Sequence, residues 1–310
     1  MNVLILGLGS IAKKHISALR AICPEVCISA LRHSRTSTPV EGVDDIYAWD
    51  DVLARKGDFD FVIIATPTSE HISSIQKALE LRVPLFIEKP LSHTICGIEQ
   101  IVDQVKEVKL QTYVACNMRF LESICHLRSL IEDEKVRVNE VNVYCGSYLP
   151  DWRPGCDFRK VYSARPELGG GVHIDLIHEL DYTYYLFGSP EKVHCLVSNN
   201  SSLAIPAIDY ANYQLKYRGF CASVILNYYR RTSKRTIEIL CDTGTYEVNL
   251  LTNSIYKDAN LIFQSDNSIA DTYKTQMAYF IRSIQSGCTM MNSIEEAARI
   301  MKLFISSAVC

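Results

Sequence analysis

Met1-Asn2-Val3-Leu4-Ile5-Leu6-Gly7-Leu8-Gly9-Ser10-Ile11-Ala12-Lys13-Lys14-His15 opens the chain. A four-residue apolar run, Val3 to Leu6, enters the turn Gly7 to Ala12, and an amphipathic stretch from Ile11 to Ile22 follows. Strand, glycine turn, helix is the context in which a GxGxxG/A pattern points to dinucleotide binding. Gly7 permits the tight turn, Gly9 lets the backbone approach a pyrophosphate, and Ala12 allows close packing of helix on strand. The N–H groups of Ser10 and Ile11 at the helix start favour negative charge. The competing reading is a glycine-rich turn with no ligand.

About twenty residues beyond such a turn, an NAD-preferring site carries an acid for the ribose 2'-hydroxyl. Here stands Arg32, followed by His33, Ser34 and Arg35, with no acid before Glu41. Two guanidinium groups and a hydroxyl suit a 2'-phosphate better than a ribose diol, so NADP is favoured over NAD. The alternative is a run of solvated loop charges.

Outward from this turn, strand-like and helical segments alternate. Val26 to Leu31, Phe59 to Ala65, Leu85 to Glu88 and Thr112 to Cys116 read as strands; Ser69 to Leu81 and Ile98 to Val108 read as helices, with a break at 34–39. Alternation of this kind predicts βαβ units and a parallel sheet over residues 1–120. Residues 121–310 read as a second, α+β domain. It begins with a linking helix and a Pro- and Gly-bearing loop from Tyr148 to Gly171, followed by a helix from Val172 to Phe187. Successive strand-like runs then predict a mostly antiparallel sheet: Val193 to Ser198, Tyr210 to Tyr217, Ala222 to Tyr229, Thr236 to Cys241 and Thr245 to Leu250. Two helices, Thr272 to Ser286 and Ile294 to Ser307, close the chain.

The bulk numbers exclude several classes. A net charge of −3 without a basic cluster argues against a nucleic-acid partner. No apolar run approaches the roughly 20 residues of a membrane span, and the N-terminus lacks the basic start of a signal peptide, so it reads as the start of a folded cytoplasmic domain. Twelve cysteines without a CxxC pair suggest reduced thiols and no metal site. The expected partner is a small molecule.

Ala65-Thr66-Pro67-Thr68-Ser69-Glu70-His71, Glu88-Lys89-Pro90, Asn117-Met118-Arg119-Phe120 and the segment Gly169-Gly170-Gly171 follow one another in an order and spacing that resemble the glucose-fructose oxidoreductase, inositol dehydrogenase and MocA family. The resemblance covers nearly the whole chain. It implies a Rossmann domain, a second domain with an open-faced sheet often used for dimer contacts, and an active site in the cleft between them; a homodimer or homotetramer is expected. It places Thr66, Pro67 and His71 along the cofactor, Glu88 and Lys89 at its nicotinamide end, and Asn117 and Arg119 with the substrate.

Lys89 follows an apolar strand and precedes Pro90, which fixes its backbone. Oxidation of a hydroxyl sends hydride from carbon and a proton from oxygen, so a cation and a base are needed near that oxygen. Asp175 and His178, three apart in a predicted helix, would share a face, and a carboxylate beside an imidazole raises its basicity. In the family the GGG segment supplies an Asp and a catalytic His, usually four residues apart rather than three. Two assignments follow: His178 as acid/base with Asp175 orienting it, or Asp175 contacting substrate with His178 paired to Asp181. His173 and Glu179 read as ordinary helix residues. Ahead of this segment, Trp152 offers an apolar face to a sugar ring, Arg153 a fork for a carboxylate or phosphate, and Tyr162 a further contact. Tyr228-Tyr229 and the basic run Arg230-Arg231 with Lys234-Arg235 read as a solvated β-hairpin turn.

The leading expectation is an NAD(P)-dependent dehydrogenase of a sugar, sugar acid or nucleotide sugar. Two others stay open: an epimerase, lyase or glycosidase with tightly held NAD, and a dinucleotide-binding sensor without chemistry.

Overall fold

The computed structural model describes residues 1–35, 38–133 and 136–309. The chain divides into two compact units, Met1–Cys116 with Tyr273–Arg299, and Asn117–Thr272 with Ile300–Cys310.

In the first unit, strands Asn2–Leu6 (β1), Cys27–Leu31 (β2), Val43–Ile46 (β3), Phe61–Ile64 (β4), Leu85–Ile87 (β5) and Thr112–Val114 (β6) form one parallel sheet in the order β3-β2-β1-β4-β5-β6. Helices Ser10–Ile22 (α1), Trp49–Ala54 (α2), His71–Leu79 (α3) and Ile98–Val108 (α4) supply the crossovers. Val3, Leu4 and Ile5 of β1 and all four residues of β4 are fully buried, as strands covered on both faces require. Burying each such side chain contributes about 1.5–3 kcal/mol. The order reverses beside β1, and ligands of open α/β sheets bind outside the carboxyl ends of the strands at that point.

Beyond Val114 come Glu122–Asp133 (α5), Val138–Tyr148 (β7), Val172–Asp175 (α6) and Ile177–Phe187 (α7). Then follow Lys192–Ser198 (β8), Tyr210–Lys216 (β9), Cys221–Asn227 (β10), Tyr229–Cys241 (β11), Gly244–Asn249 (β12), Ser254–Lys257 (β13) and Asn260–Gln264 (β14). The eight-stranded sheet runs β14-β13-β12-β11-β7-β10-β9-β8 and is antiparallel except at β7–β10. The last two helices are Thr272–Ser286 (α8) and Ile294–Val309 (α9). Among the described residues no helix is long and apolar enough to cross a membrane.

The structure departs from the sequence expectation in several places. β3 and α2 occupy a stretch with no predicted element, and β7, in the middle of its sheet, and β13 and β14, at its edge, were not expected either. The break at 34–39 includes residues 36 and 37, which lie outside the described residues. The predicted helix from Val172 to Phe187 is two helices, because Leu176 leaves helical geometry (φ −95°, ψ 34°). Finally, a single cut at residue 120 does not describe the contacts. α8 returns to the first unit, where Phe280 packs edge-on against Phe61 and Phe86 (5.0 and 5.3 Å between centroids). Tyr113 donates to Gln276 Oε1 at 3.3 Å, and the Val114 N–H donates to the Asn292 carbonyl at 2.9 Å.

Candidate active site

Gly7 has φ +86°, and a Cβ there would stand 2.8 Å from the Ala65 carbonyl oxygen and 2.9 Å from Thr66. Gly9 is different: its φ is −84°, and a Cβ would meet nothing within 4 Å. Gly7 is therefore a demand of the fold, while Gly9 leaves open space in front of the backbone. Gly9 caps α1 without any side-chain hydrogen bond, and Ser10 is exposed, so the first N–H groups of the helix face that space. Ala12 is fully buried against the sheet. A glycine held open before an uncapped 13-residue helix fits a dinucleotide pyrophosphate.

The adenosine-side residues do not all stand as expected. Arg32 is 7% exposed and donates to Asp45 Oδ2 at 2.6 Å and to the Thr38 carbonyl at 3.1 Å. Its charge is thus balanced within the fold by an acid on β3, the strand the sequence reading missed. Arg35 is exposed, with its guanidinium 5.0 Å from the centre of the Tyr47 ring, and Ser34 is half-buried nearby in sequence.

At the ends of β4 and β5, His71 is 1% exposed. Its Nδ1 lies 2.8 Å from the Pro90 carbonyl and its Nε2 3.0 Å from the Thr66 carbonyl. A neutral ring donates to only one of them. Burial lowers its pKa against the raising effect of the Pro90 carbonyl. His71, expected along the cofactor, is placed with both ring nitrogens turned to the Thr66 and Pro90 segments, which it fastens together. Thr66 is half-buried, its hydroxyl 3.1 Å from Ser74 Oγ, and Pro67 is exposed.

Glu88 is likewise an internal brace, 5% exposed. One carboxylate oxygen lies 2.5 Å from Nε2 of the fully buried His15, and the other accepts the Lys89 backbone N–H at 3.2 Å. His15 escaped the sequence reading, although its spacing from Ala12 and Leu19 puts it on the inward face of α1. The Lys89–Pro90 peptide is cis and Lys89 is half-buried.

In the second unit, Asp175 ends α6 and His178 lies in the first turn of α7, so the two belong to successive helices rather than to one helix face. Asp175 Oδ2 accepts the Tyr228 hydroxyl at 2.6 Å. Tyr228 is fully buried, which corrects the solvated-hairpin reading; burial, then the Asp175 charge, raises its pKa well above 10. Asp181, the other proposed partner of His178, has both oxygens held by Arg119, at 2.8 and 2.7 Å. Arg119 is 1% exposed and also faces the Tyr185 ring at 4.9 Å. The substrate assignment of Arg119 is therefore corrected to a packing role, since its charge is spent on a buried partner. Asn117, 3% exposed, donates to Thr272 Oγ1 at 2.6 Å and is also a buried structural group.

The loop after β7 keeps a surface character. Trp152 is 38% exposed, donates to Ser147 Oγ at 2.9 Å and meets Tyr228 edge-on at 5.3 Å. Arg153 is exposed. Tyr162 donates to the Gly169 carbonyl at 2.7 Å, which gives its hydroxyl a bracing role in the turn before the glycines. Glu179, read as an ordinary helix residue, is fully buried and accepts from Arg235 Nε at 2.6 Å.

A parallel sheet with an open glycine before an uncapped helix, and a lysine at the end of a neighbouring strand, defines the class of NAD(P)-dependent dehydrogenases acting on CH–OH groups. Residues 1–116 match the oxidoreductase family with an NAD-binding Rossmann fold, and residues 125–247 match the GFO/IDH/MocA C-terminal domain. The chain belongs to the GFO/IDH/MocA family. It is 22% identical over 309 residues to myo-inositol 2-dehydrogenase of Thermotoga maritima, covering 93% of this chain and 89% of the relative. It is also 29% identical over 171 residues to 2,7-anhydro-N-acetylneuraminate hydratase of Mediterraneibacter gnavus, covering 54% and 44%. Among solved structures, levoglucosan dehydrogenase in complex with NADH and levoglucosan aligns with a TM-score of 0.86 at 17% identity, covering 100% of this chain and 97% of that one. UDP-N-acetylglucosamine 3-dehydrogenase of Acidithiobacillus ferrooxidans aligns at 0.79 and 19%, covering 100% and 97%. At these identities the structural likeness is one of fold.

Proposed function

We propose that this protein transfers a hydride to or from a hydroxyl-bearing carbon of a sugar, sugar acid or nucleotide sugar, with NADP favoured over NAD. The observation that carries the reading is the open Gly9 before the uncapped start of α1. The names of the relatives, inositol, levoglucosan and nucleotide-sugar dehydrogenases, support the substrate class.

When bound, the nicotinamide accepts or supplies the hydride. Gly9, Ser10 and Ile11 would hold the pyrophosphate through backbone N–H groups. Lys89 places an ammonium on the reacting oxygen, where it stabilises the charge that builds as the hydroxyl proton leaves. His178 takes that proton, with Asp175 orienting it; a His178–Asp181 pair, with Asp175 on the substrate, is the second assignment. Trp152 and Arg153 recognise the sugar ring and an anionic substituent. Exposed Arg35, with Ser34, meets the 2'-phosphate, and Arg32 holds the loop through Asp45. Among the described residues the cysteines form no disulfide, in keeping with the expected reducing cytoplasm, and a homodimer or homotetramer is the expected form.

The test is a fluorescence titration with NADH and NADPH, followed by nicotinamide absorbance with myo-inositol, levoglucosan and UDP-N-acetylglucosamine. Saturable binding of neither nucleotide sinks the reading. The hydratase relative keeps one alternative in play: cofactor that co-purifies and never accumulates in reduced form would assign a reaction without net redox.

A further inference from the structure

Tyr228 is the single residue between β10 and β11, and the chain holds it on every side. Its N–H donates to the Asp209 carbonyl at 3.0 Å, and its carbonyl accepts the Leu149 N–H at 2.8 Å. Its ring meets Trp152 edge-on at 5.3 Å, Tyr162 lies close enough to act on its charge, and Ser163 hydrogen-bonds beside its hydroxyl. The hydroxyl donates to Asp175 Oδ2 at 2.6 Å. Asp175 is the last residue of α6, a four-residue helix, and the backbone leaves helical geometry at the next residue. It is half-buried, so it stays accessible while Oδ2 is held. Tyr228 is fully buried and cannot turn its hydroxyl to water, so the donor is permanently aimed at the carboxylate. The turn carrying Tyr162 and Ser163 presses on the glycine segment from the other side: a Cβ on Gly170 would stand 2.2 Å from the Tyr162 carbonyl oxygen and 2.8 Å from that of Ser163.

We propose that Tyr228 is a positioning residue for the reaction: its hydroxyl holds the Asp175 carboxylate in a single orientation and joins it to the Leu149–Trp152 segment that meets the substrate. The proposal rests on the reading of Asp175 given above. It acts without any proton leaving Tyr228.

The experiment uses the full chain labelled with carboxyl-13C aspartate, in which the Asp175 resonance is the one absent from Asp175→Asn. Tyr228→Phe removes the hydrogen bond to Oδ2 and should move the Asp175 carboxyl resonance at fixed neutral pH while the other aspartate resonances stay in place. Turnover with NADP and myo-inositol, levoglucosan or UDP-N-acetylglucosamine should fall about tenfold in kcat at unchanged NADPH affinity. An Asp175 resonance unmoved from wild type overturns the proposal. If Tyr228→Phe does not fold, 3-fluorotyrosine at 228 keeps the ring and donates more strongly; it should also move that resonance, and an unmoved one is equally fatal. Full turnover by Asp175→Asn instead overturns the underlying reading of Asp175, which separates the two failures.

Discussion

Gly7 and Gly9 stand two residues apart in one turn, yet replacing each with alanine should produce opposite phenotypes. At Gly7 the backbone is at φ +86°, where an L-residue costs about 1–2 kcal/mol, and the new Cβ would sit 2.8 Å from a backbone oxygen that belongs to the end of β4. Because the obstacle is main chain, β1 and β4 must separate slightly, and a total of about 2–3 kcal/mol is expected. At roughly 2–4 °C per kcal/mol for a domain of this size, the first unit should melt about 5–10 °C lower. At Gly9, φ is −84° and the Cβ meets nothing within 4 Å, so Gly9→Ala should melt like the wild type. Its methyl group would instead occupy the approach of the pyrophosphate, and NADPH affinity should fall at least tenfold, or about 1.4 kcal/mol. Calorimetry and nicotinamide fluorescence on the same preparations read both quantities. A Gly9→Ala protein that binds NADPH as tightly as wild type would refute the reasoning, because the open space at Gly9 would then serve no ligand.

Other outcomes follow from the same geometry. Asp181→Asn should cost about 3–5 kcal/mol in urea denaturation, since it leaves the Arg119 guanidinium buried against a neutral amide; a cost below about 1 kcal/mol would return Arg119 to the substrate. Arg35→Ala should weaken NADPH binding about tenfold and spare NADH, whereas Arg32→Ala should lower stability by unpairing Asp45; equal effects on both nucleotides would remove the 2'-phosphate role. His173 is buried and its pKa is pushed down to about 4, so as pH falls the unfolded chain takes up the proton first. Its contribution is present above about pH 6.5 and lost towards pH 4, roughly 3 kcal/mol over the window, and His173→Gln should flatten that part of the stability curve.

The parallel sheet was legible because apolar strands and amphipathic helices alternate with turn glycines between them. β3 was not: Val43-Asp44-Asp45-Ile46 is an edge strand with two acids, one of which serves Arg55 and the other Arg32. β7 was hidden by Asn139, Glu140 and Asn142, polar residues that a one-sided sheet tolerates, although Val141 and Val143 alternate with them as buried positions. The helix break at Leu176 has neither Gly nor Pro to announce it. At the candidate site, the glycine turn, Lys89 and Asp175 stand out in the sequence because they sit in local motifs. His15 with Glu88, 73 residues apart, and Tyr228 with Asp175, 53 apart, could not, since nothing local records a partner so distant. Arg119 misled for the opposite reason: a charged residue in a recognisable motif looks functional until its burial is known.

The return of Tyr273–Arg299 to the first unit bears on how the protein is made. A ribosome that has released residues 1–116 has delivered every strand of the parallel sheet, but Phe280 has not yet arrived to meet Phe61 and Phe86, nor Asn292 to receive the Val114 N–H. The nucleotide-binding half therefore waits, with aromatic surface bare, until residues 273–299 have emerged. A gene fragment cut after residue 120 should yield an aggregating product, and one that appends residues 273–299 through a linker should stay in solution.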